Sequence, residues 1–257
     1  MLKLNHRTQG SGPPMVLLHG LFGSMENLGG IARLLQPHFT LHMLDLRNHG
    51  RSPHHGQMNY ACMAEDVRGY LDSAGLDQTH VLGHSMGGKT AMQLALSYPE
   101  RMLQVIVADI APVQYSHHHD SILQGLSMID PASLLSRQQA DDILKPLVPE
   151  IAIRQFLLKN LVKQSSGGFQ WRMNLHAIRD QYPHIIAGQT SSKPFTGPVL
   201  FIKGGQSDYI IPQYREHTAG LFPNAEVKVI PNTGHWLHAE KPELFARVVK
   251  RFMKVED

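Results

Sequence analysis

The sequence predicts an α/β fold: a mostly parallel central sheet flanked by helices, with a helical cap inserted between two of its strands. Three observations lead there. Short apolar or β-branched runs alternate with longer stretches of helical spacing. Alternation of that kind builds a parallel sheet covered on both faces. Reactive residue types stand just past the ends of the apolar runs, at 19–23, 45–52, 83–87 and 109. Open α/β sheets bind their ligands beyond the carboxyl ends of the strands. Finally, the alternation stops near Ala111 and resumes after Ser192. The expected units are therefore a core made of 1–110 and 193–257, and a cap made of 111–192.

Taken in order, residues 2 to 7 are expected to form an edge strand, before the turn Gly10-Ser11-Gly12-Pro13-Pro14. Met15 to Leu18 is a short apolar strand. The helix after it carries Leu28, Ile31, Leu34 and Leu35 on one face. Thr40 to Leu44 is the next strand. Tyr60, Met63, Val67, Tyr70, Leu71 and Ala74 keep helical spacing. Thr79 to Leu82 and Leu103 to Ala108 are further strands, and the helix between them stops at Tyr98-Pro99. In the cap, helices are expected near 122–129, 131–144 and 149–161. Pro198 to Lys203 and Ala225 to Ile230 complete the sheet. The last helix has Pro242 near its start and Leu244, Val248, Val249 and Phe252 facing inward.

Composition narrows the function. At 257 residues, with 42% hydrophobic and 18% charged residues, the chain is an ordinary globular protein with room for a substantial core. Its net charge is +3, and Lys and Arg are scattered singly, so no nucleic-acid partner is expected. The single cysteine, Cys62, excludes an internal disulfide and an all-Cys metal site, and reads as a small core residue on a helix. No apolar run is long enough to span a membrane. Met1-Leu2-Lys3-Leu4-Asn5-His6 lacks the apolar stretch of a signal peptide, so the expected compartment is cytoplasmic. His117-His118-His119-Asp120 is read as a solvated cap entrance, because three adjacent histidines cannot all face one ion. No metal and no cofactor is expected, and the oligomeric state is left open.

The chemistry centres on Gly83-His84-Ser85-Met86-Gly87, a G-x-S-x-G nucleophile elbow between a strand and a helix. Small neighbours are needed because the backbone there is crowded and strained. A serine hydroxyl is a poor nucleophile alone and needs a base, an orienting acid and donors for the oxyanion. Among 17 histidines, His235 stands out by its place after the last strand and before the final helix. The expected oxyanion donors are the backbone N–H groups of Met86 and of Leu21, the latter in His19-Gly20-Leu21-Phe22-Gly23. Two carboxylates qualify as the acid. Asp208 follows the strand after the cap, and Asp109 follows the strand before it. The chain order Ser…Asp…His, with Pro212 at the usual spacing after Asp208, leans slightly to Asp208. Phe156 and Trp171 are the expected substrate-binding residues of an apolar pocket between cap and sheet, where an acyl chain would be buried. Arg47 and His49 read as braces of their loop.

Several strings together carry a resemblance: His19-Gly20, Asp45-Leu46-Arg47-Asn48-His49-Gly50, Gly83-His84-Ser85-Met86-Gly87-Gly88, Asp109-Ile110-Ala111-Pro112, Asp180-Gln181-Tyr182-Pro183, and Gly234-His235-Trp236-Leu237-His238-Ala239-Glu240-Lys241-Pro242. They span essentially the whole chain, which resembles the YbfF-type esterases of the α/β-hydrolase superfamily. The resemblance implies a Ser/His/Asp hydrolase of small-molecule acyl esters, and of acyl-CoA thioesters as a further class. It also implies an acid at Asp109, since some members have no carboxylate at the position of Asp208. Both are present here, and the choice stays open at this level. A dehalogenase or epoxide hydrolase would use a carboxylate nucleophile, which Ser85 opposes. A cofactor-free haloperoxidase or C–C hydrolase keeps the serine and stands as the alternative, as does a ligand-binding receptor on the same scaffold.

Overall fold

The computed structural model describes residues 1–165 and 167–255. In chain order the elements are strands β1 (His6–Gln9) and β2 (Pro14–Leu18), helix α1 (Gly29–Leu35), strand β3 (Thr40–Leu44), helix α2 (Tyr60–Ser73), strand β4 (Thr79–His84), helix α3 (Met86–Ser97) and strand β5 (Met102–Ala108). Helices α4 (Asp120–Ser127), α5 (Arg137–Leu144) and α6 (Ile151–Leu158) follow, then strands β6 (Leu161–Lys163) and β7 (Phe169–Trp171), then helices α7 (Leu175–Asp180) and α8 (Tyr182–Ile186). The chain ends with β8 (Val199–Gly204), α9 (Arg215–Leu221), β9 (Ala225–Ile230), α10 (Leu237–Glu240) and α11 (Pro242–Phe252).

Seven strands form one sheet in the order β1-β3-β2-β4-β5-β8-β9. Only β1 runs antiparallel, with His6 opposite Leu44; the other pairs are parallel. Period-two alternation sorts each strand between two cores. Val16, Leu18, Val81, Val105 and Val107 face α2 and α3. Met15, Leu17, Leu82, Ile106 and Leu200 face α1 and α11. The strands thus bury both faces, as parallel strands do.

The edge strand begins four residues later than the sequence suggests. Before it, Leu2 N–H donates to Asp66 Oδ1 at 2.6 Å, Leu4 is buried, and Asn5 bonds Ser52 and Asp45, so 2–5 serve as a brace across the loop after β3. Cys62 is half-buried on α2, not a core residue: the inward face of that helix is taken by Met63, Val67, Tyr70 and Leu71.

Everything between β5 and β8 is inserted on the side of the strand carboxyl ends. It is mostly helical but not wholly so. The expected helix at 131–144 is a single 3₁₀ turn (Pro131–Ser133) followed by α5, whose start is set by the Ser136 capping box. The expected helix at 149–161 ends at Leu158, and Leu161–Lys163 pairs instead with Phe169–Trp171 in a two-stranded antiparallel ribbon. Buried Leu126, Leu144, Leu157 and Ile178 join the insert to the core beneath α2 and α3 without a break. Among the described residues no helix is long and apolar enough to cross a membrane.

Backbone packs closely against backbone at the entry of α3. A Cβ added at Gly87 would lie 2.3 Å from the Leu18 carbonyl oxygen at the end of β2. Gly220, on the exposed side of α9, has nothing within 4 Å of such an atom. Two substitutions test this contrast. Gly87→Ala should cost at least about 2 kcal/mol, because backbone must move. Gly220→Ala should stabilise by about 0.5–1 kcal/mol through helix propensity. Denaturant unfolding of both variants measures the difference.

Candidate active site

Ser85 occupies the one-residue turn between β4 and α3. Its backbone sits at φ 54° and ψ −118°, a conformation that non-glycine residues rarely adopt. Ser85 N–H donates to Ala108 O at 3.0 Å, which anchors the turn to the neighbouring strand. The hydroxyl is left pointing out of the sheet, and Ser85 Oγ–H donates to His235 Nε2 at 3.0 Å.

His235 follows β9 on the loop Pro231–Trp236, and its ring is mostly covered. Its Nδ1–H donates to Asp109 Oδ2 at 2.8 Å, which fixes the tautomer that leaves Nε2 free to accept from serine. Asp109 is fully buried. Its φ of 53° turns the carboxylate back toward the β8 end. There Gly204 N–H donates to Oδ1 at 2.9 Å and the Ser207 hydroxyl donates to Oδ2. Three donors thus offset the desolvation of this carboxylate.

Asp208 stands elsewhere. It is exposed, on the wall of an open hollow that His235 and Tyr209 also border, and it is not the carboxylate that His235 meets. Chain order leans to Asp208 for this place, whereas the hydrogen bond to His235 is made by Asp109. Its neighbours take the inward places: Ser207 reaches Asp109, and Tyr209 stacks on the His235 ring with centroids 4.0 Å apart and planes 21° from parallel.

The loop after β2 is held by histidines. His19 Nδ1–H donates to Gly20 O at 2.8 Å, and its Nε2 accepts from Leu46 N–H at 3.0 Å. His49 Nδ1–H donates to Arg47 O at 2.9 Å, and its Nε2 accepts from Phe22 N–H at 3.1 Å. Arg47 is buried and paired with Asp66 at 2.7 Å. These bonds hold the loop close to the elbow: a Cβ on Gly20 would lie 3.4 Å from Ser85 Cβ. Among the described residues the Leu21 N–H finds no acceptor. The Met86 N–H is the first of α3 and has none within its helix.

A cavity of about 790 Å³ opens over Ser85, bounded by Leu21, Phe22, Ile153, Phe156, Trp236 and His235. Phe156 is on its wall; Trp171 is not, because it stands half-buried on the β6–β7 ribbon. Trp236, beside Phe156 at 6.2 Å, takes the aromatic place that the sequence reading gave to Trp171. Within the histidine run, His117 pairs with Asp120, but His119 turns inward. Its N–H donates to the Tyr182 hydroxyl, which donates in turn to His119 Nδ1 at 2.9 Å. His119 thereby joins the cavity wall, a place that a run of three polar rings gave no means of foreseeing.

Residues 13–242 match a family model described as the alpha/beta hydrolase fold. The chain belongs to the α/β-hydrolase family. It is 40% identical to Esterase YbfF of Escherichia coli over 98% of this chain and 99% of that one. It is 38% identical to the sn-1-specific diacylglycerol lipase ABHD11 of Mus musculus, over 94% of this chain and 81% of that one. Among solved structures, a marine microorganism esterase superposes with a TM-score of 0.96 at 38% identity, covering 98% of this chain and all of the other. Within the α/β hydrolases the chain is a YbfF-type esterase, and so a carboxylic-ester hydrolase.

The buried histidines give the fold a pH dependence. Burial holds His49 down to about 3, and His119 and His238 down to about 4. His19 and His84 are lowered for the same reason. The unfolded chain takes up these protons near 6.5, whereas the folded chain does not. The stability of the neutral form is therefore fully present above pH 6.5 and is lost as pH falls from there toward 4. Unfolding free energies should decline across that window. His49→Gln should make the slope shallower by up to about 1.4 kcal/mol per pH unit, as read from denaturant unfolding at pH 5, 6 and 7.

Proposed function

We propose that this chain hydrolyses carboxylic esters through a Ser85–His235–Asp109 catalytic triad and an acyl-enzyme intermediate. One observation carries the reading: two hydrogen bonds, of 3.0 Å and 2.8 Å, link the hydroxyl, the imidazole and the buried carboxylate in series at the floor of the cavity.

In the proposed cycle His235 Nε2 takes the Ser85 proton as Oγ attacks the acyl carbon. The carbonyl π pair moves onto oxygen, and the oxyanion is held by the Leu21 and Met86 N–H groups. Asp109 stabilises the imidazolium without accepting its proton. The oxyanion collapses, the bond to the alcohol oxygen breaks, and His235 Nε2–H protonates the departing alkoxide. The acyl group is left on Ser85 Oγ. Water then repeats the attack with His235 as base, and the acid and free Ser85 are released. A thioester opens by the same steps, with sulfur leaving in place of oxygen. The insert 111–192 serves as a cap that shelters these charges from water, and Phe156 contacts the substrate from it.

Ser85→Ala should abolish labelling by a fluorophosphonate and lower kcat by on the order of 10⁶. Packing is spared, so thermal melts should stay near the parent. Asp109→Asn should cost about 10⁴ in kcat, because an amide can hold the wrong tautomer. Asp208→Asn, on an exposed carboxylate, should cost tenfold or less on the order-of-magnitude view of distant charges. Steady-state hydrolysis of p-nitrophenyl esters and acyl-CoA thioesters at fixed pH compares them. Near-normal turnover by Ser85→Ala, or a full loss in Asp208→Asn with Asp109→Asn active, overturns the assignment.

A further inference from the structure

The sheet has two edges, and they differ. At one, β1 presents His6-Arg7-Thr8-Gln9, polar throughout. At the other stands β9, Ala225-Glu226-Val227-Lys228-Val229-Ile230, bonded to β8 on one side with no strand beyond it among the described residues. Val227 is 54% exposed and Val229 55% exposed, whereas Val81 and Val105 on the inner strands are fully buried. Unpaired charge on an edge strand keeps other chains away from it. Here Glu226 and Lys228 meet each other at 3.8 Å, so the edge presents balanced charge beside exposed apolar surface.

The pairing with β8 fixes the direction of the β9 backbone. Gly205 N–H donates to Ile230 O at 2.9 Å, so Ile230 turns its polar groups toward β8. Alternation along the strand gives Lys228 and Glu226 the same direction. The N–H and C=O groups of Val227 and Val229 therefore point away from the sheet, as does the Ala225 carbonyl. The side chains alternate too. Glu226 and Lys228 share the face of Ile230, which belongs to the core beneath α11, and Ala225, Val227 and Val229 share the opposite face.

We infer that β9 is a docking edge for a second copy of this chain, whose own β9 pairs with it antiparallel, Val227 opposite Val227 on a two-fold axis. The self-complementary order of residues carries the assignment. Around Val227, each Glu226 faces the Lys228 of the second copy, so an ion pair forms on either side of the axis. On the other face Val227 meets Val227, and each Ala225 meets a Val229, which covers both exposed valines. The two Val227 residues exchange N–H and C=O, and each Val229 N–H reaches an Ala225 carbonyl. The Ala225 N–H already donates to Phe222 O at 3.1 Å, so the ladder ends there. An axis at Lys228 would set like charges opposite each other and would use backbone groups that face β8. An axis at Val229 would leave both charges without a partner. One sheet then runs through both copies, and the strand carboxyl ends that carry Ser85 lie on opposite sides of the pair. A single short strand makes a small interface, so association on the order of micromolar is expected.

Sedimentation equilibrium of the wild-type protein from about 1 to about 300 µM tests the pairing. The chain should pass from monomer to dimer within that range. Val227→Lys places like charges on the axis and should raise the dissociation constant on the order of a hundredfold, as should Val227→Glu. Mixed in equal amounts, these two variants should form a heterodimer at concentrations where neither associates alone. Lys228→Glu should weaken the dimer by about tenfold or more. Combining it with Glu226→Lys should restore the wild-type constant to within about threefold. These side chains are exposed, so thermal melts of the monomers should stay near the parent. A wild-type chain that remains monomeric across the whole range overturns the inference. So does a dimer that Val227→Lys leaves intact, because its contact then lies on another surface.

Discussion

The rest of the site depends on how closely α3 approaches the end of β2. Ser85 turns the chain from strand to helix in a single residue, at a positive φ, and that turn brings Gly87 against the Leu18 carbonyl. The strain is offset by the strand pairs on either side and by the Ser85 N–H bond to Ala108 O. Its result is geometric. The hydroxyl is thrust beyond the sheet, the first amide of α3 is left without an intrahelical partner, and the loop after β2 comes near enough to present a second amide. Any side chain at Gly87 would separate these groups. Strand, loop and helix are therefore positioned by one contact, and the histidine and aspartate loops come to meet it.

Around that contact the electrostatics are arranged with little fixed charge. Asp109 is a fully buried carboxylate satisfied by Gly204, Ser207 and His235. The neighbouring histidines 19, 49 and 84 are buried too, and each is committed to one tautomer by a backbone carbonyl. Neutral rings of this kind brace loops without competing with His235 for a proton. The aromatic face of Tyr209 covers the His235 ring and shields its bond to Asp109 from water. Polar groups held in place in this way are preorganised, the arrangement that favours charge appearing only during a reaction.

The insert is tied down where it meets this machinery. Asn160 Nδ2–H donates to Phe22 O at 2.7 Å, and Asn174 N–H donates to Asn48 O at 2.9 Å, joining the insert to both loops that support the Leu21 amide. Lys89 fastens the crossing of its two ends. Between these ties α4 and α6 present apolar side chains to the cavity.

The sequence by itself determined the sheet and its order of use. Alternating strands and helices, the elbow at Ser85, and His235 after the last strand are all local or positional signals, and each is found where those signals put it. What the sequence could not decide was direction. Asp109 and Asp208 both follow strands that end at the active edge, and chain order alone cannot say which carboxylate turns inward. The fold decides it, because β5 lies beside β4 in the sheet and a positive φ at Asp109 swings its carboxylate toward the loop of His235. The place that Asp208 would have taken goes to Ser207 and Tyr209. The same holds for the aromatic residues of the cavity. Phe156 and Trp171 are equally bulky in sequence, but one lies on the inner face of a helix and the other on a ribbon that the alternating pattern did not reveal. Local spacing reports which face of its own element a residue occupies. Which other element that face meets is set by long-range packing, and only the tertiary structure contains it.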